Sequence, residues 1–270
     1  MSACARRAGV LGSPIAHSRS PQLHLAAYQA LGLTDWTYER IECTAEQLPA
    51  LVTGFGPEWV GVSVTMPGKF AALRVADEAT DRARLVGSAN TLVRTGAGWR
   101  ADNTDVDGVV GALAGVDLSE RAMVIGSGGT APAVVVGLVT LGARSVAVVA
   151  RNAAKAAGLV ELAQRCGAHG EWVDLDADRL AAAVSGVEVV ANTVPADAVA
   201  PYAGALAATP VLLDAIYDPW PTPLAAAVQA AGGRVIGGLE MLLNQAFTQV
   251  EQFTGRPAPK DAMRAALTAP

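Results

Sequence analysis

Short apolar runs rich in β-branched residues recur along the chain, separated by longer stretches whose apolar positions return every three or four residues. The runs at 8–12 (AGVLG), 36–42 (WTYERIE), 59–65 (WVGVSVT), 90–94 (NTLVR), 122–126 (AMVIG), 145–150 (SVAVVA), 187–193 (VEVVANT), 211–215 (VLLDA) and 234–238 (RVIGG) read as strands. Helical periodicity marks 21–31, 44–53, 104–114, 131–141, 153–165, 177–184, 221–230 and 239–254. Strands alternating with helices predict an α/β protein with mostly parallel sheets. Nine strands are many for a single open sheet, and 270 residues suffice for two domains. A new series of strands opens at 122, just after a helix that begins near 104–107. The segments from 239 onward follow the last expected strand, so they are expected to return to the first lobe. The expected division is therefore a discontinuous domain of 1–104 and 239–270, and a second domain of 105–238.

One stretch tests this pattern. Residues 122–143 carry no charge and are long enough to span a bilayer. Gly126 to Pro132 break the stretch into a β-branched run, a Gly-rich turn and a second apolar run, which predicts a buried strand, loop and helix instead. Composition agrees with a large buried core, at 51% hydrophobic and 17% charged residues. A net charge of −5 argues against a general nucleic-acid binder. Cys4, Cys43 and Cys166 form no CxxC pair, and His17, His24 and His169 form no HExxH, so no metal framework is expected. The cysteines fit a reducing cytoplasm, and the opening MSACARRAG lacks the apolar core of a secretory signal.

The uncharged stretch holds the most specific chemical signal. Gly126, Gly128 and Ala131 fit G-x-G-x-x-A directly after a predicted strand and before a predicted helix. Gly126 allows the tight turn, Gly128 lets the backbone approach a pyrophosphate, and Ala131 keeps helix and sheet close. The intervening Ser127, Gly129 and Thr130 complete a loop at a helix N-terminus, which suits an anion. The next strand ends in Ala150, Arg151 and Asn152, with Lys155 close behind. An enzyme using NAD wants an acid there for the ribose 2′-OH. Two cations in its place suit a 2′-phosphate, so the expected cofactor is NADP. Cations at a helix start oppose the macrodipole, which favours the functional reading of Arg151 and Lys155 over a solvated surface.

A second group of polar residues gathers at predicted strand ends, where open α/β sheets place their ligand crevice. In HSRSP, Ser20 before Pro21 reads as a helix N-cap. Were the segment extended, Ser18 and Ser20 would point the same way and offer paired hydroxyls. VSVTMPGK places Thr65 and Lys69 after a strand, GSANTL places Asn90 at the start of one, and ADNTDVDG sets Asp102, Asn103, Thr104, Asp105 and Asp107 before a helix. Each has a plain reading: a cap for Thr104 or Asp105, a turn for Asn90, a surface cation for Lys69. Together they supply hydroxyls, an amide, a carboxylate and an ammonium, a set suited to a small polyhydroxylated substrate beside a hydride carrier.

At these residues the chain resembles the shikimate dehydrogenase family from end to end. The likeness is carried by GSPIAHSRSP, VSVTMPGK, GSANTL, DNTD, GSGGTA, ARN, DAIYDPWPTPL and GGLEMLLNQA. The resemblance implies a two-lobed α/β enzyme with a Rossmann-type NADP domain, and reversible NADPH-dependent reduction of 3-dehydroshikimate to shikimate. It implies Lys69 and Asp105 as the catalytic pair, and Ser18, Ser20, Thr65, Asn90, Tyr217 and Gln245 as substrate ligands. It also sets Gly238 and Met241 near the nicotinamide. The chain departs from many relatives at Ala150, where they carry Asn, so selectivity would rest on Arg151 and Lys155. Asn192 and Thr193 in VANTVPAD receive no catalytic role. The same motifs also fit a quinate/shikimate enzyme using NAD, an aminoshikimate-type enzyme, or a non-catalytic NADP sensor. The missing acid after SVAVVA argues against NAD, and the intact Lys69 and Asp105 argue against a sensor. Expected partners are the small substrate and cofactor, with no membrane, in a monomer or homodimer.

Overall fold

The computed structural model describes residues 5–268, so Cys4 and the first residues of the MSACARRAG segment lie outside the described residues. The chain divides into two compact units, Met1–Thr104 with Leu242–Pro270, and Asp105–Met241.

The first unit is built on β1 (Arg6–Gly12), β2 (Trp36–Glu42), β3 (Trp59–Val64), β4 (Glu78–Ala79), β5 (Thr91–Thr95) and β6 (Gly98–Asp102), in the spatial order β2-β1-β3-β5-β6-β4. β1 pairs parallel with β2 and β3, but β5 is antiparallel to both β3 and β6. β4 pairs parallel with β6, so among the described residues three of the five strand pairs are parallel and the sheet is mixed, with β5 the one strand that runs against its neighbours. Only two residues separate β5 from β6, and so short a connection can join only antiparallel neighbours. Gly98 sits there at φ 127°, a conformation other residues rarely adopt. β6 escapes the sequence pattern because Arg100 interrupts its apolar positions, Trp99 and Ala101.

One side of this sheet buries Leu11, Val62, Val64, Leu92 and Trp99 against the helical residues Leu48, Val52, Ala71 and Ala72. On the other side, Leu23 and Ala27 of helix Ser20–Ala30 pack with Leu243, Phe247 and Val250, and with Met263 of helix Lys260–Thr268. Helix Gly238–Thr254 lies so close to the sheet that a Cβ on Gly61 would come within 2.2 Å of the Phe253 ring.

The second unit holds β7 (Arg121–Ile125), β8 (Ser145–Val149), β9 (His169–Val173), β10 (Val189–Asn192), β11 (Val211–Asp214) and β12 (Arg234–Gly237). Their order is β12-β11-β10-β7-β8-β9, and every pair is parallel. The chain runs outward from β7 through β8 to β9, then returns to the other side of β7 as β10. That reversal is the switch point at whose carboxyl ends such sheets hold their ligands. β9 goes unseen in the sequence because it is a half-exposed edge with few apolar residues. The uncharged stretch resolves into β7, a loop and helix Ala131–Thr140, whose residues Ala131–Leu138 are all buried. Among the described residues, no helix is long and apolar enough to cross a membrane.

Candidate active site

The serine loop departs from its expected form. Arg19, at φ −92° and ψ 1°, is not extended, so Ser18 and Ser20 are not same-side neighbours on a strand. Nor does Ser20 act as the cap: Arg19 holds that position, no side chain caps the helix, and Ser20 is its first residue. Pro21 still falls in the first turn, where its missing N–H leaves no helical bond unmade. The two serines meet differently, with the Ser20 N–H donating to Ser18 Oγ across 3.3 Å, and both are buried. β2 braces their loop from below. Glu42 accepts from Ser13 Oγ at 2.6 Å and from the Ile15 N–H at 3.1 Å, while Arg40 Nε donates to the Ser18 carbonyl at 2.8 Å.

Thr65 follows β3 directly, half-buried, and Lys69 opens helix Lys69–Val75 at 8% exposure. Lys69 is thus no surface cation. The Ala89 N–H donates to the Lys69 carbonyl at 3.0 Å, which sets the lysine's backbone beside the GSANTL segment. Asn90 is 3% exposed and is no turn residue. Its Oδ1 accepts from the Thr104 N–H at 2.8 Å, and its Nδ2 donates to Thr104 Oγ1 at 3.0 Å and to Gln245 Oε1 at 3.2 Å. The structure therefore brings Asn90 and Gln245 together and joins to them Thr104, whose plain reading from the sequence was a helix cap.

Asp102, at the end of β6, fixes the start of the DNTD segment. It accepts from Thr80 Oγ1 at 2.7 Å, Arg82 Nη2 at 2.6 Å, Gln252 Nε2 at 2.6 Å and the Asn103 N–H at 2.7 Å. Burial alone would raise its carboxyl, but the bonds from Arg82 and Thr80 outweigh it and hold the group below the usual range.

His24, fully buried and stacked on Tyr38 at 4.0 Å, has its pKa lowered to about 3 by burial, which outweighs its bond with Gln249. The unfolded chain takes up this proton first, so its contribution to stability is complete above about pH 6.5 and is lost as pH falls toward 3. The limiting slope is about 1.4 kcal/mol per pH unit. Urea midpoints of the native chain are expected to fall more steeply across that window than those of His24→Phe; equal slopes would refute the assignment.

In the second unit Asp105 is the first residue of helix Asp105–Ala112 and is buried. The DNTD motif thus straddles the unit boundary, with Lys69 on one side and Asp105 on the other. The Gly-rich loop has the form its sequence predicts. Gly126 turns at φ 115°, its N–H donating to the Val149 carbonyl at 2.9 Å, and the Ala131 N–H reaches the Gly128 carbonyl at 3.2 Å. A Cβ on Gly126 would strike Thr193 Oγ1 at 2.4 Å, so Thr193, whose hydroxyl donates to the Ile125 carbonyl at 2.8 Å, closes the turn from the side. A Cβ on Gly128 would meet no protein atom within 4 Å. Nothing in the protein demands glycine there, whereas a pyrophosphate approaching the backbone does. The loop residues fit NADP on that ground.

Arg151, Asn152 and Lys155 are all exposed at the carboxyl end of β8. Asn152 has a structural role, since it caps helix Ala153–Arg165 by accepting from the Lys155 N–H at 3.2 Å. Arg151 and Lys155 leave their side chains exposed at this strand end. Trp172 of β9, unseen in the sequence, donates from Nε1 to the Ala150 carbonyl at 2.9 Å and steadies this strand end.

Tyr217 is half-buried in the loop after β11. The loop is closed at its base by Asp214, which accepts from Asn192 Nδ2 at 2.9 Å, the Ile216 N–H at 3.2 Å and Thr222 Oγ1 at 2.6 Å. Asn192 thus has a positioning role that the sequence did not reveal. Gly238 is a glycine for a local reason, because a Cβ would lie 2.4 Å from the Ala215 carbonyl at the start of the same loop. Met241 is buried. Among the described residues, no cluster of three or more His, Cys, Asp or Glu could hold a metal ion.

Two family models match the chain, the shikimate dehydrogenase substrate binding domain over residues 10–92 and the shikimate 5′-dehydrogenase C-terminal domain over 238–268. A shikimate dehydrogenase (NADP+) of Microcystis aeruginosa is 35% identical over 96% of this chain and 95% of its own. The crystal structure of Mycobacterium tuberculosis shikimate dehydrogenase superposes with a TM-score of 0.94 at 69% identity, covering 98% of this chain and 100% of that one. The Thermus thermophilus shikimate 5-dehydrogenase, solved in complex with NADP(H) and shikimate, gives a TM-score of 0.82 at 28% identity over 97% of this chain and 98% of that one.

Proposed function

The chain belongs to the shikimate dehydrogenase family, and from that premise we propose that Lys69 and Asp105 carry its acid–base chemistry. The protein is an NADP-dependent oxidoreductase that interconverts 3-dehydroshikimate and shikimate in aromatic amino acid biosynthesis. NADPH, when bound, supplies the hydride. Reduction builds negative charge on the carbonyl oxygen, and an ammonium beside it stabilises that charge and delivers the proton. Lys69 is the residue for this role. Asp105 orients the Lys69 ammonium and the reacting hydroxyl.

Ser18 and Ser20 take the substrate carboxylate, while Thr65, Asn90, Tyr217 and Gln245 hold its hydroxyls. The observation that carries this reading is the buried Lys69 in the same unit as the linked amides of Asn90 and Gln245. Buried groups of this polarity have no place in a core that needs only packing. The residues Met1–Thr104 with 239–270 form the substrate domain and 105–238 the cofactor domain. Gly126 to Ala131 cradle the pyrophosphate, Ala150 to Asn152 with Lys155 line the adenosine end, and Gly238 and Met241 flank the nicotinamide. The free thiols of Cys43 and Cys166 support a reducing compartment such as the cytoplasm.

Crossing shikimate and quinate with NADP and NAD in kcat/KM measurements tests the assignment. Preference for shikimate with NADP is expected; comparable quinate turnover, or preference for NAD, would contradict it. A sensor would gain thermal stability from NADP and none from shikimate. Arg151→Ala is expected to raise KM for NADP by about 10- to 100-fold, the worth of a charge-assisted contact, and to leave KM for NAD within about twofold. Equal losses for both cofactors would sink the 2′-phosphate role.

A further inference from the structure

Beneath the proposed substrate groups of the first unit lies a tier of buried polar side chains. Gln249 is its hub. It sits one turn beyond Gln245 on helix Gly238–Thr254 and is 1% exposed. Its Nε2 donates to the Asn90 carbonyl at 3.2 Å and to Thr91 Oγ1 at 2.8 Å. Its Oε1 accepts from Ser63 Oγ at 2.7 Å and pairs with His24 Nε2 at 3.3 Å. A carboxamide offers two donors and two lone pairs, and here all four are used.

The direction of every proton follows. The Asn90 carbonyl only accepts, so Nε2 must face it and Oε1 must face Ser63. Ser63 gives its one proton to Gln249 and accepts from Tyr38 OH at 2.7 Å. On the other side, Thr91 Oγ1 has accepted from Gln249 and donates to Asn90 Oδ1 at 2.8 Å. Oδ1 also takes the Thr104 N–H, which leaves Nδ2 turned to Thr104 Oγ1 and Gln245 Oε1. A flipped Asn90 amide would set donor against donor at the Thr104 N–H.

We infer that Gln249 is a positioning residue for substrate: through Thr91 it holds the Asn90 carboxamide with its NH2 group turned toward Gln245. The inference rests on the proposed assignment of Asn90 to a substrate hydroxyl. A glutamine that served only to fill space would not need both donors of its amide aimed at the backbone and the neighbour of one binding residue.

Gln249→Met keeps the volume and removes all four bonds. With the full-length enzyme, KM for shikimate is expected to rise about tenfold while KM for NADP and kcat stay within about twofold, the split expected when binding is lost equally from the ground state and the transition state. Thr91→Val deletes only the linking hydroxyl and is expected to raise the shikimate KM about threefold; it decides the matter even if Gln249→Met does not fold. Val250→Ala, the neighbouring core residue, controls for loosening of the helix and is expected to lower Tm without moving that KM. No rise in Thr91→Val, or an equal rise in Val250→Ala, overturns the inference. Asn90→Ala separates it from its premise. If Asn90→Ala leaves the shikimate KM unchanged, the substrate reading falls and this inference with it. If Asn90→Ala raises KM and Thr91→Val does not, only the role of Gln249 falls.

Discussion

Lys69→Ala is expected to lose about a thousandfold or more in kcat while still binding shikimate. A positioned proton donor contributes about 10²–10⁴-fold, and a preorganised charge at a developing oxyanion contributes a comparable factor. Lys69 is 8% exposed, so its ammonium acts away from bulk water, and a neutral water entering the space left by the cut would not carry its charge. The carboxylate and hydroxyl ligands proposed for substrate lie on other residues, Ser18, Ser20, Asn90 and Gln245, and these remain. Steady-state kinetics with shikimate and NADP measure the loss, and a shikimate thermal-shift titration measures the retained binding. A variant that kept most of its kcat would remove Lys69 from the chemistry.

The second large effect separates two glycines of one loop. Gly126→Ala puts a side chain at φ 115° and a Cβ 2.4 Å from Thr193 Oγ1. Strain of about 1–3 kcal/mol and overpacking of similar size both act on the protein itself, so Tm falls and NADP affinity is lost together. Gly128→Ala meets no protein atom within 4 Å. Its Tm without ligand is expected to stay near that of the native chain, while NADP affinity drops by about 100-fold or more because the new methyl occupies the pyrophosphate's approach. Differential scanning with and without NADP reads both. A Gly128→Ala protein that bound NADP normally would mean the loop does not cradle the cofactor as proposed.

These glycines also show what made the second unit legible. AMVIG and SVAVVA are short runs with no competing periodicity, and the fingerprint glycines follow at a fixed offset from the strand, so local sequence and tertiary role coincide. Helix Ala153–Arg165 fell on its expected residues for the same reason. The first unit was harder. β6 hides because only Trp99 and Ala101 of its five residues are apolar, and β4 is too short to leave a pattern. Ser20 before Pro21 carries a strong local preference for capping, but the chain at Arg19 turns one residue earlier and tertiary contacts from β2 hold it there. Gln245 was found through its motif, whereas Gln249 was not. The available signal was two glutamines four residues apart on the apolar face of one helix, a spacing that puts both amides inside.

The return of the last helices to the first unit has a consequence for synthesis. Translation completes residues 105–241 before the residues that finish the first sheet's cover have left the ribosome. Until Leu243, Phe247 and Val250 emerge, Leu23 and Ala27 have no apolar partners from that helix, and Gln245 is absent from beside Asn90. The nascent chain can therefore complete the second unit early, as domains formed from continuous sequence do. The first unit closes last, and a ribosome that stops short of residue 242 releases a chain that has its Gly-rich loop but lacks Gln245 beside Asn90.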